Sequence, residues 1–356
     1  MSVLDYEITY KSLDPSNMGQ RLQSFPQQCV NAWEQSTQLF ELHSRYKDID
    51  DIVILGMGGS AIGAELLVDL ATVEKTPPIR IHRNYGLPNH VTKNTLVIAS
   101  SNSGRTTETL SGFNQAINIG AKVITITAGS DMALQAESAG SPVLKVNYQG
   151  EPRTALGYSF LAPLGIMVQL NLIRDISSEI EESVNELSKL VRTEIGMDVL
   201  RENNRSKQLA HFFLSRLPVV YGGGIFTGVA HRWKTQLNEN SKVWAQWEVL
   251  PEANHNAVVG YLMPQAVKEL AFVLFLKPHN LPTEMSARYD VTQELMVNQG
   301  VDNQTIEGYG NSALSQILTT SLVGDYTSYY LALLQGIDPS PIPPIDFIKD
   351  RLSRRR

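Results

Sequence analysis

The sequence predicts an α/β protein made of two doubly wound parallel-sheet subdomains that arose by internal duplication. From Ile52 onward, short β-rich apolar runs alternate with helix-length spacers, which is typical of parallel strands joined by crossover helices. The alternation restarts at Leu217, and both halves begin with an apolar run that ends in a glycine turn, at Gly56 and at Gly222. Two halves with the same pattern indicate a repeated fold.

Composition and charge narrow the class of protein. The chain has 356 residues, of which 42% are apolar, and is long enough for one large or two medium domains. A formal charge of −6 gives no electrostatic reason to expect nucleic acid as a partner. No run approaches the roughly 18 apolar residues of a membrane span, so no membrane partner is expected. The single cysteine, Cys29, excludes an internal disulfide and a cysteine metal cage, and it favours a cytoplasmic location.

The N-terminal half divides into two expected regions. Residues 1–50 read as a helical N-terminal segment with an apolar packing face. Residues 51–175 form the first subdomain, which ends in a long apolar helix. Its expected strands are Ile52–Leu55, Ile79–His82, Thr95–Ala99, Val123–Thr127 and Val143–Val146.

The remainder begins with a charged stretch, residues 176–205, that reads as a solvated helical connector. Residues 206–356 form the second subdomain. Strands are expected from Leu217 to the glycine turn at Gly222, at Ala271–Leu276 and at Gln304–Glu307. Helices are expected at Thr283–Asn298 and, as the final long helix, at Ser312–Leu334.

A cluster of hydroxyls follows the strand at Thr95. The strand ends at Ser-Ser-Asn-Ser-Gly, and a helix then opens near Thr106. Free N–H groups and the positive end of the helix dipole would face this turn, while Ser101, Ser103 and Thr106 add hydroxyl donors. The turn therefore suits a phosphate monoester, although such a cluster is equally explained as a simple helix N-cap. No Gly-Lys-Ser/Thr follows, which disfavours a nucleotide P-loop.

A second turn of the same kind lies one strand–helix unit earlier. It reads Gly-Met-Gly-Gly-Ser from Gly56 to Ser60, and it includes Gly59. Two such turns can converge on one ligand at the carboxyl edge of a parallel sheet. Dinucleotide binding is disfavoured, because the glycine spacing is wrong and no acidic residue follows at the required distance.

The densest polar stretch of the second half surrounds Glu239, in Leu-Asn-Glu-Asn-Ser-Lys, and is followed by Glu-Ala-Asn-His-Asn around His255. A carboxylate among amides can shuttle a proton, and a histidine between asparagines can act as a second acid or base. Taken alone, such a glutamate is more often a surface residue and such a histidine more often a structural one, and spacing does not decide between these interpretations.

The motifs in order resemble one family. The two turns are followed by Glu-Pro-Arg-Thr-Ala-Leu-Gly-Tyr from Glu151, by the stretches around Glu239 and His255, and by Gly324-Asp325-Tyr326 and the closing Asp338-Pro339. In this order they resemble the bifunctional phosphoglucose/phosphomannose isomerase family, whose fold is a pair of sugar isomerase subdomains. The resemblance covers residue 50 to the end of the chain and implies an aldose–ketose isomerase acting on glucose 6-phosphate, mannose 6-phosphate and fructose 6-phosphate.

The resemblance also implies roles for matching residues. Gly59, Ser60, Ser101, Ser103 and Thr106 would hold the substrate phosphate. Arg153 would stabilise an enediolate and Glu239 would move the proton between C1 and C2, which is coherent with a fixed guanidinium beside a single base. His255 would help to open the sugar ring from the partner subunit of a homodimer, and Lys349 would act near the ring oxygen.

Further expectations accompany the resemblance. No cofactor and no metal is expected, since the remaining histidines form no ligand-spaced set. The glycine turn at Gly222 lacks the hydroxyls, so one phosphosugar site per chain is expected. A non-catalytic phosphosugar-binding protein of the same fold is the alternative, and the retained Arg153, Glu239 and His255 argue against it. Arg105 departs from the family turn and could contact the phosphate or face solvent.

Overall fold

The computed structural model describes residues 2–38 and 46–355. Residues 39–45, which belong to the expected N-terminal helical segment, lie outside the described residues. Most of residues 2–38 are helical, and Asp14 caps α2 (Met18–Gln23) by accepting hydrogen bonds from the N–H groups of Met18 and Gly19, each at 2.8 Å.

The first sheet is parallel throughout, as the sequence predicted. In the described residues its strand order is β2-β1-β3-β4-β5. The strands are β1 (Asp51–Leu55), β2 (Ile79–His82), β3 (Thr95–Ser101), β4 (Lys122–Thr127) and β5 (Val143–Lys145). Every residue of β3 is buried, because helices cover both faces of the sheet.

The second sheet repeats this arrangement and is again parallel. Its order in the described residues is β7-β6-β8-β9. The strands are β6 (Leu217–Gly223), β7 (Gln246–Leu250), β8 (Ala271–Lys277) and β9 (Asp302–Glu307). The sequence did not predict β7, an edge strand whose residues are mostly half-buried or exposed and whose apolar pattern is weak. The predicted fold class is confirmed.

The helices fill the intervals between these strands. They are α1 (Glu7–Leu13), α2 (Met18–Gln23), α3 (Phe25–Gln38), α4 (Gly59–Ala71), α5 (Thr107–Asn118), α6 (Ser130–Ser138), α7 (Leu156–Gln169), α8 (Ser177–Leu190), α9 (Arg205–Phe213), α10 (Thr227–Glu239), α11 (Gln265–Leu270), α12 (Thr283–Asn298), α13 (Ala313–Leu334) and α14 (Pro343–Ser353). The long helix α13 is buried from Leu314 to Leu333 and forms the centre of the molecule. No helix in the described ranges combines the length and apolarity that a membrane crossing needs.

The charged stretch at residues 176–205 is helical but is not simply solvated. Its main helix, α8, buries Ile180, Leu187 and Leu190 in the same core as α13, so the prediction of a solvated connector was wrong on this point. The charges occupy the other face of an amphipathic helix. The residue bounds given above for the subdomains stay predictions.

The two subdomains meet through α4 and α10, the helix that follows the first strand of each sheet-forming half. Gly228 near the start of α10 donates its N–H to Asp69 near the end of α4 at 2.5 Å. One turn further along, His231 Nδ1 lies 2.7 Å from Glu65. The helices therefore run antiparallel, and the start of α4 lies at the same end of the pair as Glu239, the last residue of α10.

Candidate active site

In the hydroxyl turn between β3 and α5, the hydroxyls of Ser103 and Thr106 are free to donate, whereas the hydroxyl of the buried Ser101 is already engaged. Ser101 Oγ donates to Thr106 Oγ1 at 3.0 Å and accepts from the Gly104 N–H at 3.1 Å. Thr106 is the N-cap residue of α5 but makes no capping hydrogen bond, so the cluster is not explained as an ordinary cap. The exposed Ser103 hydroxyl accepts from the Arg105 N–H, which leaves its proton free to donate.

The glycine turn between β1 and α4 lies beside it. Ser60 Oγ accepts a hydrogen bond from the Asn102 N–H at 3.3 Å, which joins the two turns. Gly58 has a φ of 51°, in the left-handed region that favours glycine, and this conformation aims the start of α4 at the hydroxyl turn. The structure thus brings Gly59, Ser60, Ser101, Ser103 and Thr106 together at the carboxyl edge of the first sheet.

Arg105 points away from this turn. Its Nε donates to Asp131 at 2.7 Å, and both side chains are exposed. Of the two interpretations open at the sequence level, the structure therefore favours a solvent-facing arginine.

Arg153 is buried and rigidly held. Its Nε donates to Asn240 Oδ1 at 2.6 Å, and one terminal nitrogen donates to the Pro339 and Ser340 carbonyls, each at 2.9 Å. The other terminal nitrogen lies 3.6 Å from a carboxylate oxygen of Glu239. Burial lowers the pKa of Arg153, whereas the charges of Glu239 and Glu151 raise it, and the guanidinium remains a cation.

Glu239 ends α10 and faces this free guanidinium nitrogen. Its side chain is 25% exposed. Within the described part of the chain its carboxylate makes no hydrogen bond, so both oxygens remain available to a ligand. A half-buried carboxylate beside a fixed cation can take up a proton while the cation stabilises a developing anion.

A close backbone contact joins the hydroxyl turns to this pair. A Cβ placed on Gly59 would lie 2.7 Å from the Pro152 carbonyl carbon and 3.0 Å from the Arg153 backbone nitrogen. Because only glycine allows this approach, the start of α4 sits directly against the residue that carries the guanidinium. The glycine turn therefore lies against the backbone of the residue whose side chain faces Glu239.

Two groups at this site were not predicted as site residues. Lys242 Nζ donates to the backbone carbonyls of Glu239 and Pro339, and the segment Pro339–Ser340 accepts from Arg153. A lysine three residues after Glu239, at the end of a helix, was the available signal for the first. The second involves backbone carbonyls, which no sequence pattern marks.

Buried and half-buried charged side chains surround Arg153. Arg232 donates to the Arg153 carbonyl at 3.0 Å and to Asp325 of α13 at 2.7 Å, with both charged side chains almost fully buried. Glu151 pairs with Arg21 at 2.7 Å. Burial raises the pKa of Glu151, but the nearby Ser340 side chain and the charges of Arg21 and Arg153 outweigh it, and the net shift is downward.

His255 and Lys349 are not brought to the site within one chain. Both side chains are exposed, His255 on a 3-10 turn and Lys349 on α14. Among the residues that the structure describes, neither forms a hydrogen bond or ion pair with Arg153 or Glu239. The described ranges also contain no group of three or more His, Cys, Asp or Glu side chains arranged to hold a metal ion.

Comparison with known proteins first defines the class. Residues 202–352 match the model of the bacterial phospho-glucose isomerase C-terminal SIS domain. A solved structure of a hypothetical protein from Thermus thermophilus shares the fold with a TM-score of 0.72 at 15% identity, covering 94% of this chain and 89% of that one. The fold and the paired turns thus place the chain among proteins with two sugar isomerase (SIS) subdomains.

Full-length relatives define the family. The chain is 38% identical to a bifunctional phosphoglucose/phosphomannose isomerase of Caldicellulosiruptor bescii, over 94% of this chain and 99% of that protein. It is 31% identical to the protein of the same name from Aquifex aeolicus, over 88% and 95%. The chain belongs to the bifunctional phosphoglucose/phosphomannose isomerase family, as the sequence motifs predicted.

Proposed function

We propose that this protein is an aldose–ketose isomerase that interconverts glucose 6-phosphate and mannose 6-phosphate with fructose 6-phosphate. The observation that carries the proposal is the Arg153–Glu239 pair, 3.6 Å apart, with the Arg153 backbone packed against Gly59 at the start of α4. A non-catalytic sugar-phosphate binder would need the turns alone, and the buried support of Arg153 would serve no purpose in it.

The chemistry follows from these groups. The turns anchor the phosphate through hydroxyls and the amides at the starts of α4 and α5. Glu239 removes the proton from C2 of the open-chain aldose and returns it to C1, while a proton moves from O2 to O1. The intermediate is a cis-enediolate, whose negative charge lies on oxygen, and Arg153 stabilises it through its free guanidinium nitrogen. One base therefore serves both half-reactions.

The active enzyme is proposed to be a homodimer with a shared site, in which His255 from the partner opens the sugar ring and Lys349 acts near the ring oxygen. Apolar residues are exposed beside both side chains, which supports this assembly: Val259 and Met263 are each 77% exposed, and Phe347 of α14 is 61% exposed. No residue of α14 is buried within one chain. A cytoplasmic location is proposed, consistent with the single, unpaired and buried Cys29.

A coupled assay tests the function. Purified protein supplied with fructose 6-phosphate should form glucose 6-phosphate and mannose 6-phosphate, each detected by its own coupling enzymes, with and without a chelator. Equal rates in both conditions are expected, because the proposed steps use only side chains. Absence of both aldoses would refute the proposal, and loss of activity with chelator would refute its metal independence.

Replacing Ser103 by alanine tests the phosphate turn. The change should raise KM for fructose 6-phosphate about 10-fold or more, because a hydrogen bond to a charged group contributes roughly 1.5–3 kcal/mol. Ser103→Asp should raise it further through repulsion of the phosphate. Steady-state kinetics measure both effects.

Ser130→Ala is the matched control for this prediction. Ser130 is an exposed serine at the start of α6, the helix that follows β4. Its replacement should leave KM unchanged. An unchanged KM in both Ser103 variants would remove this turn from the substrate site.

A further inference from the structure

Lys242 folds back over the end of the helix that carries Glu239. Its Nζ donates to the carbonyl oxygens of Glu239 at 2.5 Å, Asn240 at 3.2 Å and Pro339 at 2.9 Å. Three acceptors match the three N–H donors of an ammonium group. In the described ranges no carboxylate lies within ion-pair distance of Lys242, so its charge is directed entirely at backbone oxygens.

Two of these oxygens belong to the C-terminus of α10. Carbonyls at a helix C-terminus lack partners within the helix and carry the negative end of its dipole, so a cation there is stabilising. Lys242 reaches them by adopting a φ of 57°, a left-handed conformation that a lysine rarely adopts. Lys242 lies three positions after Glu239, the last residue of the helix, and the chain reverses there so that its side chain returns over the last turn.

The third oxygen links the helix end to a second part of the site. The Pro339 carbonyl accepts from Lys242 and also from the Arg153 guanidinium, each at 2.9 Å. The same guanidinium faces Glu239. The Pro339 carbonyl therefore accepts hydrogen bonds from two cations. One is Arg153, which stabilises the enediolate, and the other is Lys242, which holds the end of the helix that carries Glu239.

We propose that Lys242 is a positioning residue for the isomerisation: it fixes the backbone of Glu239 and the Pro339–Ser340 segment, and so keeps the Glu239 carboxylate opposite the free nitrogen of Arg153. This role rests on the proposed function. Since proton transfer depends on this geometry and phosphate anchoring does not, the loss of Lys242 should affect kcat far more than KM.

The charge state of Lys242 gives the role a pH dependence. Lys242 is partly exposed, and partial desolvation of its ammonium together with the neighbouring Arg153 lowers its pKa to about 8, against the opposing charges of Asp338, Glu239 and Glu151. The lowered pKa means that the ammonium loses its proton as pH rises through this value. The neutral amine has one donor fewer and places a lone pair among carbonyl oxygens, so kcat should fall on the alkaline side.

The experiment compares three full-length variants with the wild type, using fructose 6-phosphate across the neutral and alkaline range. Lys242→Gln should lower kcat about 10-fold and change KM by less than about 2-fold. It should also lose the fall of kcat at high pH, which is called the alkaline limb below. Lys242→Arg should keep most of kcat and move the limb to higher pH, because a guanidinium stays charged. Lys234→Gln, a half-buried lysine of the same helix, should behave as wild type.

An unchanged kcat together with an unchanged alkaline limb in Lys242→Gln would overturn the inference. If that variant fails to fold, as judged by circular dichroism, Lys242→Arg decides, and an alkaline limb at the wild-type position would overturn it as well. A merely structural role would lower the active fraction without moving the limb. Failure of the proposed function is distinguishable, because the wild type itself would then be inactive.

Discussion

Replacing Glu239 by glutamine should lower kcat by about 100-fold or more while the substrate still binds. Glutamine has nearly the same shape but cannot accept the C2 proton, and removal of a positioned general base costs about 10²–10⁴-fold in rate. Binding should persist, because the phosphate turns and Arg153 are unchanged. The measurement is steady-state kinetics with fructose 6-phosphate, together with direct binding of a substrate analogue by calorimetry.

Isotope exchange sharpens this prediction. In D₂O the wild type should place deuterium at C2 of the aldose products, because a carboxylate that holds the proton can exchange it with solvent. Glu239→Gln should abolish this incorporation. Glu248→Gln, which changes a half-buried glutamate in β7, is the matched control and should leave both rate and exchange intact. A near-wild-type kcat in Glu239→Gln would exclude Glu239 as the base.

Mixing two inactive variants should restore activity if the site is shared between subunits. A Glu239→Gln chain and a His255→Ala chain each lack one group in every site of their own homodimers. In a heterodimer, one site receives Glu239 from the second chain and His255 from the first, and is intact. Random re-pairing makes about half of the dimers heterodimers, so about one quarter of wild-type activity is expected.

The controls follow from the same geometry. Each variant put through the same unfolding and re-pairing alone should stay inactive, and native mass spectrometry should confirm that heterodimers form. Activity of the wild type should also fall on dilution as dimers dissociate. If heterodimers are demonstrated and no activity returns, His255 acts within its own chain or not at all.

Much of the fold could be predicted because its signals are local. Strands such as β1 and β3 contain continuous apolar runs, Ile52–Leu55 and Leu96–Ala99, and their boundaries were predicted to within two residues. The strand β7 was missed because an edge strand buries little and its residues alternate poorly. The burial of α8 was missed because its charges dominate the sequence, while only one residue in three or four meets the core.

The site was less accessible to sequence reasoning, since its contacts join distant parts of the chain. Arg153 and Asn240 are 87 positions apart, and Lys242 and Pro339 are 97 positions apart. No periodicity encodes such pairs. Family resemblance supplied Arg153 and Glu239 as site residues, and the structure places them together. The resemblance did not indicate that the Pro339 carbonyl accepts hydrogen bonds from both Lys242 and Arg153.

The antiparallel α4–α10 pair has a consequence for the symmetry of the duplicated fold. A pseudo-twofold axis that exchanges the two helices would generate two equivalent ends, each combining the N-terminus of one helix with the C-terminus of the other. One end holds Ser60 and the Arg153–Glu239 pair. At the other, the first amides of α10 meet Asp69, which accepts the Gly228 N–H.

Asp69 therefore lies against the start of α10, the position that corresponds to the start of α4 at the opposite end. Its burial, reinforced by the charge of Glu65 and opposed by the Gly228 N–H, raises the pKa of Asp69 to about 7. Asp69 accepts the Gly228 N–H, so this backbone donor at the start of α10 is not available to a phosphate. A phosphate site at the start of α10 would require the removal of Asp69 as well as the addition of hydroxyls to the turn at Gly222.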